Sequence, residues 1–150
     1  MLCLAFIVGC TPSPRPLNVG GDQCKHCLMT VSDERYGAEI VLTTGKVLTF
    51  DSVECLASYL LDNSVEMHSL WVVDYAQPDS LLPVKEAAFL HSDALRSPMG
   101  MNLAAFNKEA AASWPVAGRW MDWEEVLDFV NLKGAHEHSA SESLDGGSHF

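Results

Sequence analysis

Basic residues are scarce in this sequence of 150 residues. Lysine and arginine together number 9, against 20 aspartates and glutamates, which gives a formal net charge of −11. Proteins bind nucleic acids by contacting the phosphates with Lys and Arg, so this balance argues against a nucleic-acid partner. An acidic surface is compatible with cations and with basic proteins, but it identifies neither.

Long apolar runs are also lacking, since no stretch approaches the ~20 apolar residues that a membrane-spanning helix needs. The N-terminal apolar stretch is short, contains no Lys or Arg, and ends in Ile7-Val8-Gly9-Cys10. An apolar run that closes on a small residue before a cysteine resembles a bacterial lipoprotein signal. We therefore expect a signal peptide over residues 1–9 and a lipid on Cys10. The protein would then be held at a membrane and face the periplasm or another extracytoplasmic space; the alternative is a cytoplasmic protein with an apolar N-terminal strand.

The composition changes twice along the remaining chain. Residues 10–21 contain Pro12, Pro14 and Pro16, which predicts a stiff, extended tether between the lipid and the folded part. Residues 22–133 hold most of the apolar side chains, enough for the core of one small domain. Residues 134–150 have almost no apolar side chains, and we expect a disordered tail there.

Hydrophobic patterns and turn residues predict an α+β fold. In the first part, strands at residues 38–42 and 47–50 flank a turn at residues 43–46. A helix follows from Asp51 to about Asn63, with Asp51 and Glu54 in the positions of a capping box. A further strand at residues 70–75 completes a β-β-α-β unit.

The second part of the domain repeats this order weakly. Residues 78–83 are predicted to form a connecting loop, followed by strands at 87–91 and 103–106, a helix at 108–114, a short strand at 118–121 and a helix from Trp123 to about Leu132. Asn107 and Asp122 are the predicted N-caps of these two helices. We infer two related halves, at about residues 22–77 and 84–133.

The part of the chain that is expected to fold contains an odd number of cysteines. Of the five cysteines, Cys3 lies in the predicted signal and Cys10 is the predicted lipid site, which leaves Cys24, Cys27 and Cys55 for the fold. An odd count in an exported protein argues against a complete disulfide framework. A bound soft metal would explain why such thiols stay reduced.

Two short segments carry the candidate chemistry. Cys24-x-x-Cys27-x-Met29 places two thiols and a thioether within six residues, and these soft donors select Cu(I) over hard cations. Zinc would require four ligands, and no second Cys-x-x-Cys or His-x-x-x-His pattern completes such a site. The motif alone leaves open a copper site, a structural disulfide or zinc staple, and a thiol–disulfide redox pair formed by Cys24 and Cys27.

The second segment is Ser97-Pro98-Met99-Gly100-Met101, where glycine favours a tight turn that exposes the sulfurs. Met99 is therefore a candidate third ligand beside Cys27 and Met29. We interpret Cys55 as a core residue rather than a ligand, and His26 as exposed. His91 is a weak candidate nitrogen ligand. The sequence has no Ser/His/Asp or Cys/His catalytic order, phosphate loop or apolar carboxylate pair, so it indicates no enzyme class.

Taken together, these segments resemble the NosL family, lipoprotein copper chaperones tied to the assembly of nitrous oxide reductase. The matching parts span about residues 24–130 and comprise Cys10, Cys24-x-x-Cys27-x-Met29, Gly45-Lys46-Val47, Phe50-Asp51-Ser52-Val53-Glu54-Cys55, Ser97-Pro98-Met99-Gly100 and Ala105-Phe106. One departure is Leu28, where the family usually has glycine, which suggests a stiffer loop.

The resemblance implies two β-β-α-β halves similar to the organomercurial lyase fold. It also implies a single Cu(I) site at Cys27, Met29 and Met99, with Cys24 close by. It further implies delivery of copper to a copper reductase, with an ABC-type assembly complex as a membrane partner.

Overall fold

The structure is a computed structural model that describes residues 11–142. The predicted signal peptide and Cys10 lie outside the described residues, as do residues 143–150. Seven strands and three helices follow one another as β1 (Ala38–Leu42), β2 (Val47–Phe50), α1 (Val53–Asp62), β3 (Met67–Asp74), β4 (Gln77–Pro83), β5 (Ala87–His91), β6 (Leu103–Asn107), α2 (Lys108–Ser113), β7 (Arg119–Met121) and α3 (Trp123–Glu142). Within residues 11–142, no helix combines the length and apolar character needed to cross a bilayer.

The strands form two antiparallel sheets with related topology. The first sheet has the order β2-β1-β3-β4, and the second has the order β6-β5-β7. In each sheet the first strand of the unit lies in the centre, between its hairpin partner and the strand that follows the helix. This arrangement confirms the predicted α+β fold of two related β-β-α-β halves, to which β4 and α3 are added.

One main core joins the two halves. Alternate residues of β1 face α1, so that Ile40 packs in the same cluster as Leu56 of the helix. Phe89 from β5 and Val126 from α3 belong to this cluster too, and α1 packs directly against α3. A second cluster around Phe106 contains the rings of Tyr36, Tyr75, Trp114 and Trp120.

The predictions for residues 78–83 and for the N-cap of α1 need correction. Residues 77–83 form the edge strand β4 rather than a loop; prolines at positions 78 and 83 are tolerated because an edge strand leaves some N–H groups unpaired. The N-cap of α1 is Ser52, whose hydroxyl accepts from the Cys55 amide, and not Asp51. The Asp51 carboxylate instead accepts from the Ser32 amide at 2.8 Å.

The predicted cap of the last helix is present. Asp122 accepts from the Glu125 amide and Glu125 accepts from the Asp122 amide, both at 3.0 Å, so a capping box forms here instead of at α1. The helix extends to Glu142 and not to about Leu132, and it therefore includes part of the segment expected to be disordered. Gly134 weakens a helix by only ~1 kcal/mol, and no proline follows it up to Glu142.

The segment expected to be a stiff, extended tether contacts the sheet. The Arg15 guanidinium makes two hydrogen bonds of 2.8 Å to the Asp22 carboxylate, and the Arg15 amide donates to Glu39 Oε2 at 3.2 Å. Leu17 lies so close to Gly37 that a Cβ there would clash with it. We call residues 15–22 the N-terminal strap, because they cover the face of the first sheet opposite α1.

Glu39, beneath the strap, makes the stability of the fold depend on pH. Its side chain is 0% exposed, its Oε1 has no hydrogen-bond partner, and burial raises its pKa from 4.5 to about 7. A carboxyl group whose pKa is raised in the folded state favours folding fully below pH 4.5. This contribution to the free energy of unfolding is lost as the pH rises from 4.5 through 7. The loss amounts to about 3 kcal/mol, since each pKa unit corresponds to about 1.4 kcal/mol.

We predict that Glu39→Gln removes this dependence. The free energy of unfolding of the wild type should fall relative to that of Glu39→Gln between pH 5 and pH 8, by up to about 3 kcal/mol in urea titrations. Glu66→Gln, at an exposed position, is the matched control and should follow the wild type. Parallel curves for wild type and Glu39→Gln would contradict the prediction.

Candidate metal centre

The Cys24–Met29 segment is a closed loop. The Cys24 amide donates to the Met29 carbonyl at 2.8 Å, and the Leu28 amide donates back to the Cys24 carbonyl at 3.0 Å. The Lys25 amide donates to the carbonyl of Thr49 in β2, also at 2.8 Å. The loop is therefore fixed beside the end of β2, where the chain enters helix α1.

Helix α1 brings a third cysteine to this loop. Cys55 lies in its first turn, is 1% exposed, and belongs to the main core. The sulfurs of Cys24, Cys27 and Cys55 all lie within 4.8 Å of one another, and all three residues are free thiols. We call this group the three-cysteine cluster. Cys24 and Cys55 are buried, whereas Cys27 is half-buried and forms the open edge of the cluster.

The cluster is polarised so that one sulfur carries the negative charge. A hydrogen bond from Cys55, supported by the backbone amides of Asp51, Cys27 and His26, lowers the pKa of Cys24 to about 4. The same hydrogen bond, together with burial, raises the pKa of Cys55, and burial raises the pKa of Cys27. Because a thiolate is the metal-binding form, the cluster offers one ligand ready for a cation and two that release protons on binding.

The predicted methionine ligands lie at the surface. Met29 is 61% exposed and Met99 is 42% exposed. Met99 lines a cavity of about 650 Å³ together with Met101, with His26 from the cysteine loop, and with residues of α1 and α3. The methionine loop (residues 97–102) and the cysteine loop (residues 24–29) therefore border the same cavity. The structure brings Cys24 and Cys27 together, while ligation by Met29 and Met99 stays a prediction.

Cys55 is the site residue that the sequence reasoning did not select. Its burial fits the interpretation as a core residue, but the same position also places its sulfur beside the other two. The available signal was the unpaired third cysteine at the start of a helix, in a chain with a second soft-donor motif. His91 contacts the ring of Phe129 at 4.8 Å between centroids, and within the described part of the chain no histidine joins the cluster.

The donor set suits a soft metal ion. Three sulfurs can hold Cu(I), which accepts thiolate ligands at low coordination number, whereas structural zinc sites have four ligands. The buried position of two sulfurs excludes water from much of the site. The half-buried Cys27 leaves one side where another sulfur ligand can approach.

Leu28 adopts a backbone conformation that suits glycine. Its φ is 64°, in the left-handed region, and its side chain is 63% exposed. A left-handed conformation costs an L-residue roughly 1–2 kcal/mol, and exposure means that little packing compensates for it. The local reason that glycine fits this position is therefore backbone strain.

We predict that Leu28→Gly stabilises the protein. The free energy of unfolding should rise by about 0.5–1 kcal/mol, because relief of the strain exceeds the extra chain entropy of glycine in the unfolded state. Thermal and urea denaturation measure the change. Leu61→Gly, at an exposed position within α1, is the control and should destabilise. A destabilised Leu28→Gly variant would show that the loop is not strained.

Comparisons with known proteins agree with this fold. A search of curated protein sequences gives no match. Among solved structures, the crystal structure of the copper chaperone NosL from Shewanella denitrificans superposes with a TM-score of 0.63, at 19% sequence identity, and the match covers 77% of this chain and 96% of that chain. The NosL family model matches residues 17–128. The chain therefore belongs to the NosL family.

Proposed function

We propose that this protein is a copper carrier that binds Cu(I) at the three-cysteine cluster and transfers it to another protein. The observation that carries the proposal is the convergence of three free cysteine sulfurs, from a loop and a helix, within 4.8 Å. The all-sulfur donor set favours Cu(I) over hard cations. The relative from Shewanella denitrificans is itself named a copper chaperone.

The proposed transfer starts at the open edge of the cluster. Cys27 is half-buried, and the exposed Met29 and Met99 are the predicted sulfur ligands nearest to solvent. A weak thioether can leave the ion when a stronger acceptor sulfur arrives, so copper can change partners without being released to water. This function is one of binding and delivery, with no catalytic step.

The destination and the location are proposed by analogy with the family and not from the geometry of the site. We propose nitrous oxide reductase as the copper enzyme that is supplied, with an ABC-type assembly complex as the membrane partner. Lipidation of Cys10 after removal of residues 1–9 would keep the carrier at the outer side of the membrane. Mass spectrometry of the mature protein tests the lipid, and co-purification from membranes tests the partner.

The cysteines should dominate copper affinity. In anaerobic titrations against a chromogenic Cu(I) chelator, we expect serine replacement of Cys24, Cys27 or Cys55 to weaken binding at least 100-fold, since each removes a thiolate ligand. Met29→Ala and Met99→Ala should weaken it about tenfold, because a thioether is the weaker ligand. Met67→Ala, at an exposed position on β3, is the matched control and should bind like wild type. Wild-type affinity in Cys55→Ser would contradict the three-cysteine site.

A second function is favoured by the pKa of Cys24. A thiol with a pKa of about 4 is mostly thiolate at neutral pH and can attack a disulfide, which fits a thiol–disulfide redox protein using Cys24 and Cys27. In that case Met29 and Met99 would be dispensable and the protein would catalyse insulin reduction. Metal analysis after anaerobic purification separates the two functions, and it also detects a zinc staple.

A further inference from the structure

One buried carboxyl group connects the two segments of the proposed copper site. Glu54 precedes Cys55 in helix α1 and is 1% exposed. Its Oε1 accepts a hydrogen bond from the Ser97 hydroxyl, at the start of the methionine loop. Its Oε2 is buried and has no hydrogen-bond partner among the described residues. A buried carboxyl group with one oxygen that lacks a hydrogen-bond partner destabilises a fold. Stability alone therefore gives no reason for a glutamate at this position.

Ser97 in turn closes the methionine loop. The Asn102 amide donates to the Ser97 hydroxyl oxygen at 2.8 Å, and the Gly100 amide donates to the Ser97 carbonyl at 2.9 Å. Gly100 and Asn102 both have positive φ values, of 76° and 58°, which fold the segment back on itself. The loop therefore has one defined shape, and Ser97 is the residue through which that shape is fastened to α1.

Met99 lies at the tip of this fastened loop. It faces the same cavity as His26, which sits between Cys24 and Cys27 in the cysteine loop. The position of its sulfur relative to the three-cysteine cluster thus depends on how the loop is held against α1. Among the described residues, one side-chain hydrogen bond joins the methionine loop to helix α1, which carries Cys55. It is the bond that the Ser97 hydroxyl donates to Glu54.

We propose that Glu54 is a positioning residue that, through Ser97, holds Met99 within reach of the copper ion bound at the three-cysteine cluster. The inference rests on the proposed copper-carrier function and deepens it. Glu54 does not touch the metal. It determines whether the thioether of Met99 can act as the exchangeable ligand.

The experiment is a double-mutant cycle on Cu(I) affinity, measured by competition with a chromogenic chelator under anaerobic conditions. The hydrogen bond is removed from each side, by Ser97→Ala and by Glu54→Leu, which adds no sulfur beside Cys55, and each variant is also combined with Met99→Ala. Ser92→Ala is the matched control, because Ser92 is equally buried but its hydroxyl donates to the Ala117 carbonyl. X-ray absorption on the copper-loaded proteins counts the sulfur ligands, and circular dichroism verifies folding.

We expect Ser97→Ala and Glu54→Leu each to weaken binding about tenfold, as Met99→Ala does, since loss of an outer partner of a ligand lowers metal affinity by 10–100-fold. Adding Met99→Ala to either should change nothing further, and both should lose one sulfur from the copper shell. Glu54→Gln keeps an acceptor for the Ser97 hydroxyl and should remain close to wild type.

Three results would overturn the proposal. The first is wild-type affinity in folded Ser97→Ala or Glu54→Leu when Met99→Ala binds more weakly. The second is an additive loss in the combined variants. The third is an unchanged affinity in Met99→Ala itself, which would refute the positioning role while leaving a cysteine-bound copper carrier intact. Loss of the copper-carrier function would appear differently, as serine variants of the cysteines that bind like wild type.

Discussion

The site depends on the place where strand β2 ends and helix α1 begins. There the amide of Lys25 donates a hydrogen bond to the carbonyl of Thr49, which fixes the cysteine loop beside the end of β2. Because α1 starts at Val53, Cys55 falls in the first helical turn and faces the loop. The sulfurs meet through backbone geometry, with no disulfide to hold them.

This constraint explains the distribution of charge in the site. A buried thiolate is costly unless it receives hydrogen bonds, and Cys24 receives them from Cys55 and from nearby backbone amides. The core beneath the cluster is formed by both halves of the fold, since α1 packs against α3 and shares a cluster with Phe89. The second half thus packs against the helix that carries Cys55, and it also supplies the methionine loop beside the site.

The sequence predicted the fold well because its signals were local. The hairpin around Gly45, the helix after Asn107 and the capping residue Asp122 each follow from neighbouring residues, and the structure contains them all. Strand β4 was missed because an edge strand with prolines has the composition of a loop. Cys24 and Cys27 were predicted as ligands from their spacing, whereas the proximity of Cys55 to them depends on how β2 positions the cysteine loop, which is a tertiary contact. Leu28 lies in the left-handed region, a conformation that glycine adopts without strain.

With the proposed lipid on Cys10, the N-terminal strap would limit how the domain can be oriented at a membrane. Arg15 is clamped to Asp22 and Glu39, and the cysteine loop starts only two residues after Asp22. From Cys10 to Arg15 an extended chain reaches about 17 Å at most. A lipid at Cys10 would therefore hold the domain close to the membrane and restrict its rotation. The sheet face under the strap would lie close to the headgroups, and the direction in which the thiol loop points would be set by the strap rather than by diffusion.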